Sequence, residues 1–440
     1  MSKTFRGAVA LAFAAAAAAC TDHGAKLAGP RPPQGNGIFQ SYVSLGNSIT
    51  AGYQSGGIND ATQKQSYAVL LAAQMGTRFA YPSIALPGCP PPIINFLTQT
   101  RLTAQGLPPS TSSSCYLRAG TAAILNNVAV PGATSFDPNA PATPPSPFAN
   151  LLTQLILGGQ NQVQRAAQAD PTFATLWIGN NDVLAPALSG VLVAAPGVSP
   201  GLTAQATFQT NLDKIVSDLQ AAAPGLKGGV LIGVVDVTNA PALFPVSLLL
   251  NSPQFRGAFD VAAGYVATST DPFKSQPLNI EANCTANPTT LVSILIAGQI
   301  AAFRNDSTKA PTARTGHPPD ISCGTSAIYP APVGQIFILE PAEIAAVADR
   351  VTTMNNYIKA KAPAIGFAYL DPNQALDSLK TKGEIVPGPN FAAPGTSTFG
   401  KWISLDGIHP SAAAHILITN YLIDAINGKY ATTLTKLANP

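Results

Sequence analysis

The chain has 440 residues, enough for one large elaborated domain or two smaller ones with an ample core. Apolar residues make up 46%, which excludes a disordered chain, while charged residues reach only 10%, against roughly a quarter in ordinary soluble domains. The formal net charge is +3 and no Lys/Arg cluster stands out, so the electrostatic footprint that nucleic-acid binding requires is missing. A surface so poor in charge draws its hydrophilicity from Ser, Thr, Asn, Gln and Gly, which suits an extracellular or membrane-associated setting.

The first 19 residues read as a signal peptide. Lys3 and Arg6 precede a short apolar run over 7–19, too short to span a membrane. That run ends Ala17-Ala18-Ala19-Cys20. Small residues directly before a cysteine are similar to a bacterial lipobox, with Cys20 as the lipidated first residue, although Ala17 stands where leucine is usual. Cleavage after an Ala-x-Ala site, leaving a soluble product, is the alternative. Either way the chain is expected to be exported: a lipoprotein of the outer membrane or cell surface, or a periplasmic or secreted protein. Residues 20–37, rich in Gly, Pro and polar side chains, read as a flexible tether.

The expected domain covers 38–430, and its elements alternate. Residues 39–45 (FQSYVSL) read as a strand, 66–75 as a helix and 78–81 as a second short strand. A Pro-rich insertion lies near 84–118, and 123–130 (AILNNVAV) returns to an apolar run. Residues 148–157 and 162–168 look helical, and 173–178 (FATLWI) reads as a buried strand. Over 205–222, Phe208, Leu212, Ile215, Val216 and Leu219 share one face at the helical period. Residues 229–235 (GVLIGVV) form another unbroken apolar strand, which suits a parallel sheet covered on both faces.

A second long insertion runs over about 241–335, with apolar helical patches such as 291–300. Its length, position and cysteines make it a candidate cap. Alternation then resumes with a helix over 341–360, a strand over 366–370 and a terminal helix over 412–426. The order indicates an α/β fold, a three-layer α/β/α sandwich with a mainly parallel sheet and long Pro-rich insertions. Such sheets bind ligands beyond the carboxyl ends of their strands.

Apart from Cys20 there are four cysteines: Cys89, Cys115, Cys284 and Cys323. An even number in an exported chain suggests two disulfides. Three pairings are possible, and the sequential one, Cys89 with Cys115 and Cys284 with Cys323, closes the two insertions. Each closure is worth about 3–4 kcal/mol in the chain-entropy description. No Cys-x-x-Cys spacing occurs, so no metal site and no cofactor is expected.

Four short segments carry chemistry, and three of them follow an apolar run. They are Leu45-Gly46-Asn47-Ser48, then Val130-Pro131-Gly132-Ala133, then Gly179-Asn180-Asn181-Asp182, and finally Asp406-Gly407-Ile408-His409 just before the terminal helix. A serine hydroxyl is a poor nucleophile without a base. Of the four histidines, His23 lies in the tether, His317 among prolines and His415 inside the terminal helix. Only His409 follows a carboxylate, Asp406, by three residues. Asp320 follows His317 in the reverse order, and no glycosidase-like pair of carboxylates is apparent.

Taken together and in this order, the segments resemble the SGNH (GDSL-type) hydrolase family. The resemblance spans the chain from Phe39 to the last helix but is carried by about half of it; the insertions have no counterpart. It implies a flavodoxin-like fold, no cofactor and an ester substrate. It also implies Ser48 as nucleophile, His409 and Asp406 as its base and carboxylate, and Ser48, Gly132 and Asn181 as the oxyanion hole. The family's usual Gly-Asp-Ser is here Gly46-Asn47-Ser48, which removes a charge beside the nucleophile. Asp182 suits a capping or structural role. The implied activity is that of a serine esterase or lipase. The alternatives are acetyl-xylan-type deacetylation, acyl transfer, or a surface-binding lipoprotein without turnover. Membrane contact is expected only through the lipid anchor, and no obligate protein partner is evident.

Overall fold

The computed structural model describes residues 37–115, 122–140, 152–271, 274–305, 320–323, 337–395 and 397–440. The signal peptide, Cys20, His23, nearly all of the tether and His317 lie outside the described residues.

Strand β1 (Tyr42–Gly46) leads into the short helix α1 (Ser48–Ala51), followed by α2 (Tyr67–Met75) and α3 (Gln162–Ala167). Strand β2 (Phe173–Trp177) precedes α4 (Asn180–Ser189) and α5 (Gln205–Ala222), and β3 (Gly228–Ile232) follows. After the second insertion come α6 (Pro341–Ala364), β4 (Ala368–Leu370), α7 (Pro372–Thr381) and α8 (Ala412–Tyr430). The four strands form one sheet in the order β1-β2-β3-β4, with every pairing parallel.

Both faces of this sheet are apolar, as its unbroken hydrophobic runs require. Val43, Leu45, Ala174, Leu176 and Leu231 point to one side, where α5 and α6 bury Phe208, Ile215, Val347 and Met354 against them. Their neighbours Tyr42, Phe173, Trp177, Val230 and Ile232 point to the other side, against Leu71 and Met75 of α2 and Leu422 and Ile426 of α8. The period-2 alternation of a strand thus feeds two cores. The result is the three-layer α/β/α sandwich.

Residues 123–130, the apolar run ahead of Pro131, form no regular strand. They run beside β1, with Val128 N–H donating to Ser44 O and Val130 N–H to Gly46 O, but only Ser44 and Asn127 form a bridge. Residues 78–81 are not a strand. The Ala80 carbonyl instead accepts the N–H groups of Asn126 and Asn127, which ties this stretch to a loop rather than to a ladder. Residues 291–300 begin as a strand, Leu291–Ser293, because two neighbours, Leu243–Pro245 and Ile338–Leu339, pair with it on either side. Helix follows only from Leu295. Helix α7 escaped the sequence reading altogether.

The described part of the second insertion builds a core of its own around Phe244, Val246, Phe259, Ile296 and Ile300. The disulfides are sequential, Cys89–Cys115 and Cys284–Cys323, so each insertion carries one. Among the described residues no helix is long and apolar enough to cross a membrane.

Candidate active site

Ser48 stands at the carboxyl end of β1 as the first residue of α1. Gly46 makes this turn possible. A Cβ there would come within 2.5 Å of the Trp177 carbonyl and 2.6 Å of Thr50 Oγ1. Gln162 grips the same residue through both of its peptide groups, accepting from Gly46 N–H at 2.8 Å and donating to Gly46 O at 2.9 Å. Asn47, fully buried, caps α1 by accepting the Ile49 N–H at 3.1 Å. The residue that replaces the family's aspartate therefore still does a cap's work.

The Asp406–His409 loop reaches Ser48 from the far end of the chain. His409 Nε2 lies 2.8 Å from Ser48 Oγ, and His409 Nδ1 lies 2.8 Å from Asp406 Oδ2. With Asp406 ionised, Nδ1 carries the proton and donates it to the carboxylate, which leaves Nε2 to accept from the serine hydroxyl. Asp406 Oδ1 accepts the N–H groups of Ile408 and His409 at 2.9 and 2.8 Å, and Oδ2 also accepts Gly56 N–H at 2.7 Å. Burial alone pushes this carboxyl up. The imidazole of His409 and these hydrogen bonds outweigh it and hold the group at about 2. The side chains of His409 and Asp406 are only 12% and 11% exposed, so their pairing is weakly screened. The Tyr53 ring packs over His409 with centroids 4.9 Å apart. Burial first, and then Asp406, push its phenol up to about 12.

Asn181 is tied to the loop that carries Gly132 rather than to Ser48, His409 or Asp406. Gly132 sits in a turn at φ +79°, and the next carbonyl, Ala133 O, accepts from Asn181 Nδ2 at 2.9 Å. One amide hydrogen of Asn181 is thereby engaged and the second is left for another acceptor. Helix α4 starts one residue earlier than Asn181, with Gly179 as its cap at φ +108°. Asp182 in its first turn accepts Ser135 N–H at 2.7 Å and Ser135 Oγ–H at 2.6 Å. Its role is to hold the Gly132 loop.

Ser48, Asn181 and His409 line a common cavity of about 130 Å³. The wall also draws on α1, the carboxyl ends of β2 and β3, α4, α7, α8 and the loop before it, with Ile385 and Trp402. None of its lining residues belongs to the described part of 241–335. That insertion instead touches the 406–409 loop, through Ala242 N–H donating to Gly407 O at 3.0 Å. Gly407 is held to glycine on both counts, with φ +74° and Phe399 within 2.9 Å of an added Cβ.

Sequence reasoning missed the turn at 55–57, Arg101 and the α7 wall. Ser55 N–H donates to Ser404 Oγ at 2.8 Å, and Leu405 N–H returns to Ser55 Oγ at 3.2 Å. Polar turn residues of this kind leave no periodic signal. Helix α7 carries one, since Ala375, Leu376 and Leu379 recur at helical spacing behind Pro372. His415 is buried in α8, its Nδ1 accepting Tyr67 N–H at 3.2 Å. Among the described residues no cluster of His, Cys, Asp or Glu has the makings of a metal site.

The family model described as GDSL-like Lipase/Acylhydrolase matches residues 42–422. No curated protein matches the chain. Among solved structures, it is similar to a carbohydrate esterase family 2 enzyme with a carbohydrate-binding domain from Corynascus thermopiles (Myceliophthora fergusii). The identity there is 13%, with 75% of this chain and 68% of that chain covered and a TM-score of 0.25. With 42–422 matched, the chain belongs to the GDSL-like lipase/acylhydrolase family and is a hydrolase of ester bonds.

Proposed function

We propose that the protein is a carboxylester hydrolase working through an acyl-Ser48 intermediate. His409 takes the Ser48 proton as the hydroxyl attacks the ester carbonyl and returns it to the leaving alcohol. Asp406 fixes the imidazole tautomer and stabilises the imidazolium. The N–H groups of Ser48 and Gly132 and the side-chain amide of Asn181 receive the oxyanion, each such donor commonly contributing about 3 kcal/mol. Water then takes the place of the alcohol and His409 repeats the cycle. The observation that supports this reading is the unbroken chain of two 2.8 Å contacts from Ser48 Oγ through His409 to Asp406.

The test is hydrolysis of p-nitrophenyl esters together with labelling by a fluorophosphonate. Wild type turns over and labels at Ser48, and Ser48→Ala does neither. Labelling that survives Ser48→Ala refutes the assignment.

An exported setting belongs to the same proposal, supported by the disulfides, which persist in oxidising compartments. The mature N-terminus tests it. A diacylated Cys20 identifies a lipoprotein, and an unmodified N-terminus after cleavage identifies a free exported enzyme.

A further inference from the structure

We infer that the cavity beside Ser48 sizes the substrate, and that one arm of the ester is a compact apolar group of about five or six carbons, straight, branched or a single ring. This rests on the esterase reading above and adds a substrate class to it. A dry cavity of about 150 Å³ walled by aliphatic and aromatic side chains accepts benzene. The cavity here measures about 130 Å³, and Trp177, Leu184, Leu376, Leu379, Trp402 and Ile418 supply much of its wall. The cavity is open on one side, so a dodecyl chain runs out of it into solvent beyond its first five or six carbons, and an acetyl group leaves most of it empty.

Several polar side chains of the wall are already committed within the protein, although Asn180 Nδ2 and Trp177 Nε1 are buried donors without a partner and Asn181 keeps one amide hydrogen free. Asp236 Oδ1 accepts both Thr238 N–H and Thr238 Oγ–H, and its Oδ2 accepts from Asn239 Nδ2. Asn239 Oδ1 in turn accepts from Lys380. Asn180 Oδ1 accepts Val235 N–H at 3.0 Å. Groups engaged in this way are poor partners for the hydroxyls of a sugar. The wall is also anchored against widening. Trp402, only 8% exposed, donates its Nε1–H to Glu384 at 2.7 Å. Leu376 and Leu379, one turn apart on α7, close the space from another side.

The cavity touches both Asn181 and His409, so the same chemistry serves an acyl group or an alcohol, and the experiment separates the two. The kcat/KM of the full chain is measured on p-nitrophenyl esters from acetate to dodecanoate, and on acetates of alcohols from methyl to dodecyl with benzyl included. In one series kcat/KM climbs about four-fold per methylene, the equivalent of about 0.8 kcal/mol, up to five or six carbons and then levels or falls. The series that climbs names the arm. Leu376→Phe or Leu379→Phe moves that optimum at least two carbons shorter; both sites are half-buried, and an unchanged melting temperature verifies that each variant folds. Two flat series, a climb that continues to twelve carbons, or an optimum unmoved in both variants overturns the inference. Ser48 labelling is followed alongside. Labelling with flat series leaves the esterase reading intact and removes the sizing; failure to label at Ser48 removes both.

Discussion

Gly56 donates its backbone N–H to Asp406 Oδ2 at 2.7 Å, to the same oxygen that accepts the proton of His409 Nδ1. The carboxylate is therefore aimed by a turn 350 residues away in sequence. That turn is itself held by Arg101, which lies in the first insertion. Arg101 Nη1 donates to Gly56 O at 2.8 Å and to Pro91 O at 2.7 Å. The insertion thus helps to position the Asp406 carboxylate.

Arg101→Met accordingly lowers kcat by about ten-fold while KM changes little, since the loss is one of aim rather than of binding. Arg101→Lys, which keeps a charge but not the forked donor, recovers part of it. Steady-state kinetics of the three proteins checks this. A fall in KM and kcat alike across both variants, matched by a lower melting temperature, would assign Arg101 to general stability.

Asp406→Asn should cost more than a lost charge. Oδ2 accepts from both Gly56 N–H and His409 Nδ1, while Oδ1 accepts two further N–H groups. An amide has one oxygen, so its NH₂ must face donors whichever way it turns. The expected fall in kcat is about 10⁴, with the imidazole pushed toward the wrong tautomer. Fluorophosphonate labelling slows in parallel. A labelling rate within ten-fold of wild type would show that His409 is oriented by something else.

The segments proposed to carry the chemistry stand out in the sequence because each is a short local pattern, two of them directly after a strand. A turn glycine before Ser48 and a carboxylate three residues before His409 are visible without the fold. Strand and helix order was legible for the same reason that the sheet is buried on both faces: unbroken apolar runs such as FATLW admit few other readings. What stayed hidden depends on pairing at a distance. Residues 78–81 have a strand's composition but meet a loop through Ala80, and 291–293 become a strand only because Leu243–Pro245 and Ile338–Leu339 flank them. The side chains that close the cavity come from both ends of the domain, from Trp177 to Ile418, and no window of sequence contains them. Asn47 was read as a departure, and the structure gives it the cap of α1.

Asp182 holds the Gly132 loop through two bonds to Ser135, and Asn211 Nδ2 adds a third contact to the same hydroxyl at 3.0 Å. Asp182→Ala leaves a buried N–H and a buried hydroxyl short of an acceptor, at a cost of about 2 to 4 kcal/mol. Because Gly132 lies three residues before Ser135, kcat falls as well, by about ten-fold or more. Ser135→Ala removes only the hydroxyl contact, and its effect on both quantities is smaller. Denaturant midpoints and kcat measured on the same preparations test the pairing. Loss of stability with full kcat would separate Asp182 from catalysis and weigh against the proposed oxyanion role of the Gly132 loop.

His415 sets an acid limit on the fold. It is fully buried, and burial, reinforced by the nearby His409, pushes its pKa down to about 3. In the unfolded chain it titrates near 6.5. Between those values the unfolded state binds a proton that the folded state does not, so stability falls as pH drops below about 6.5 and this contribution levels off near 3. The slope is about 1.4 kcal/mol per pH unit. His415→Gln keeps an oxygen to accept Tyr67 N–H and has nothing to titrate. Carboxylates titrate in both proteins, so the difference between them isolates the histidine. From pH 6 to pH 4 the stability of wild type relative to the variant should fall by roughly 3 kcal/mol, read from urea midpoints at fixed m-value. Parallel curves would mean that His415 takes up its proton in the folded protein.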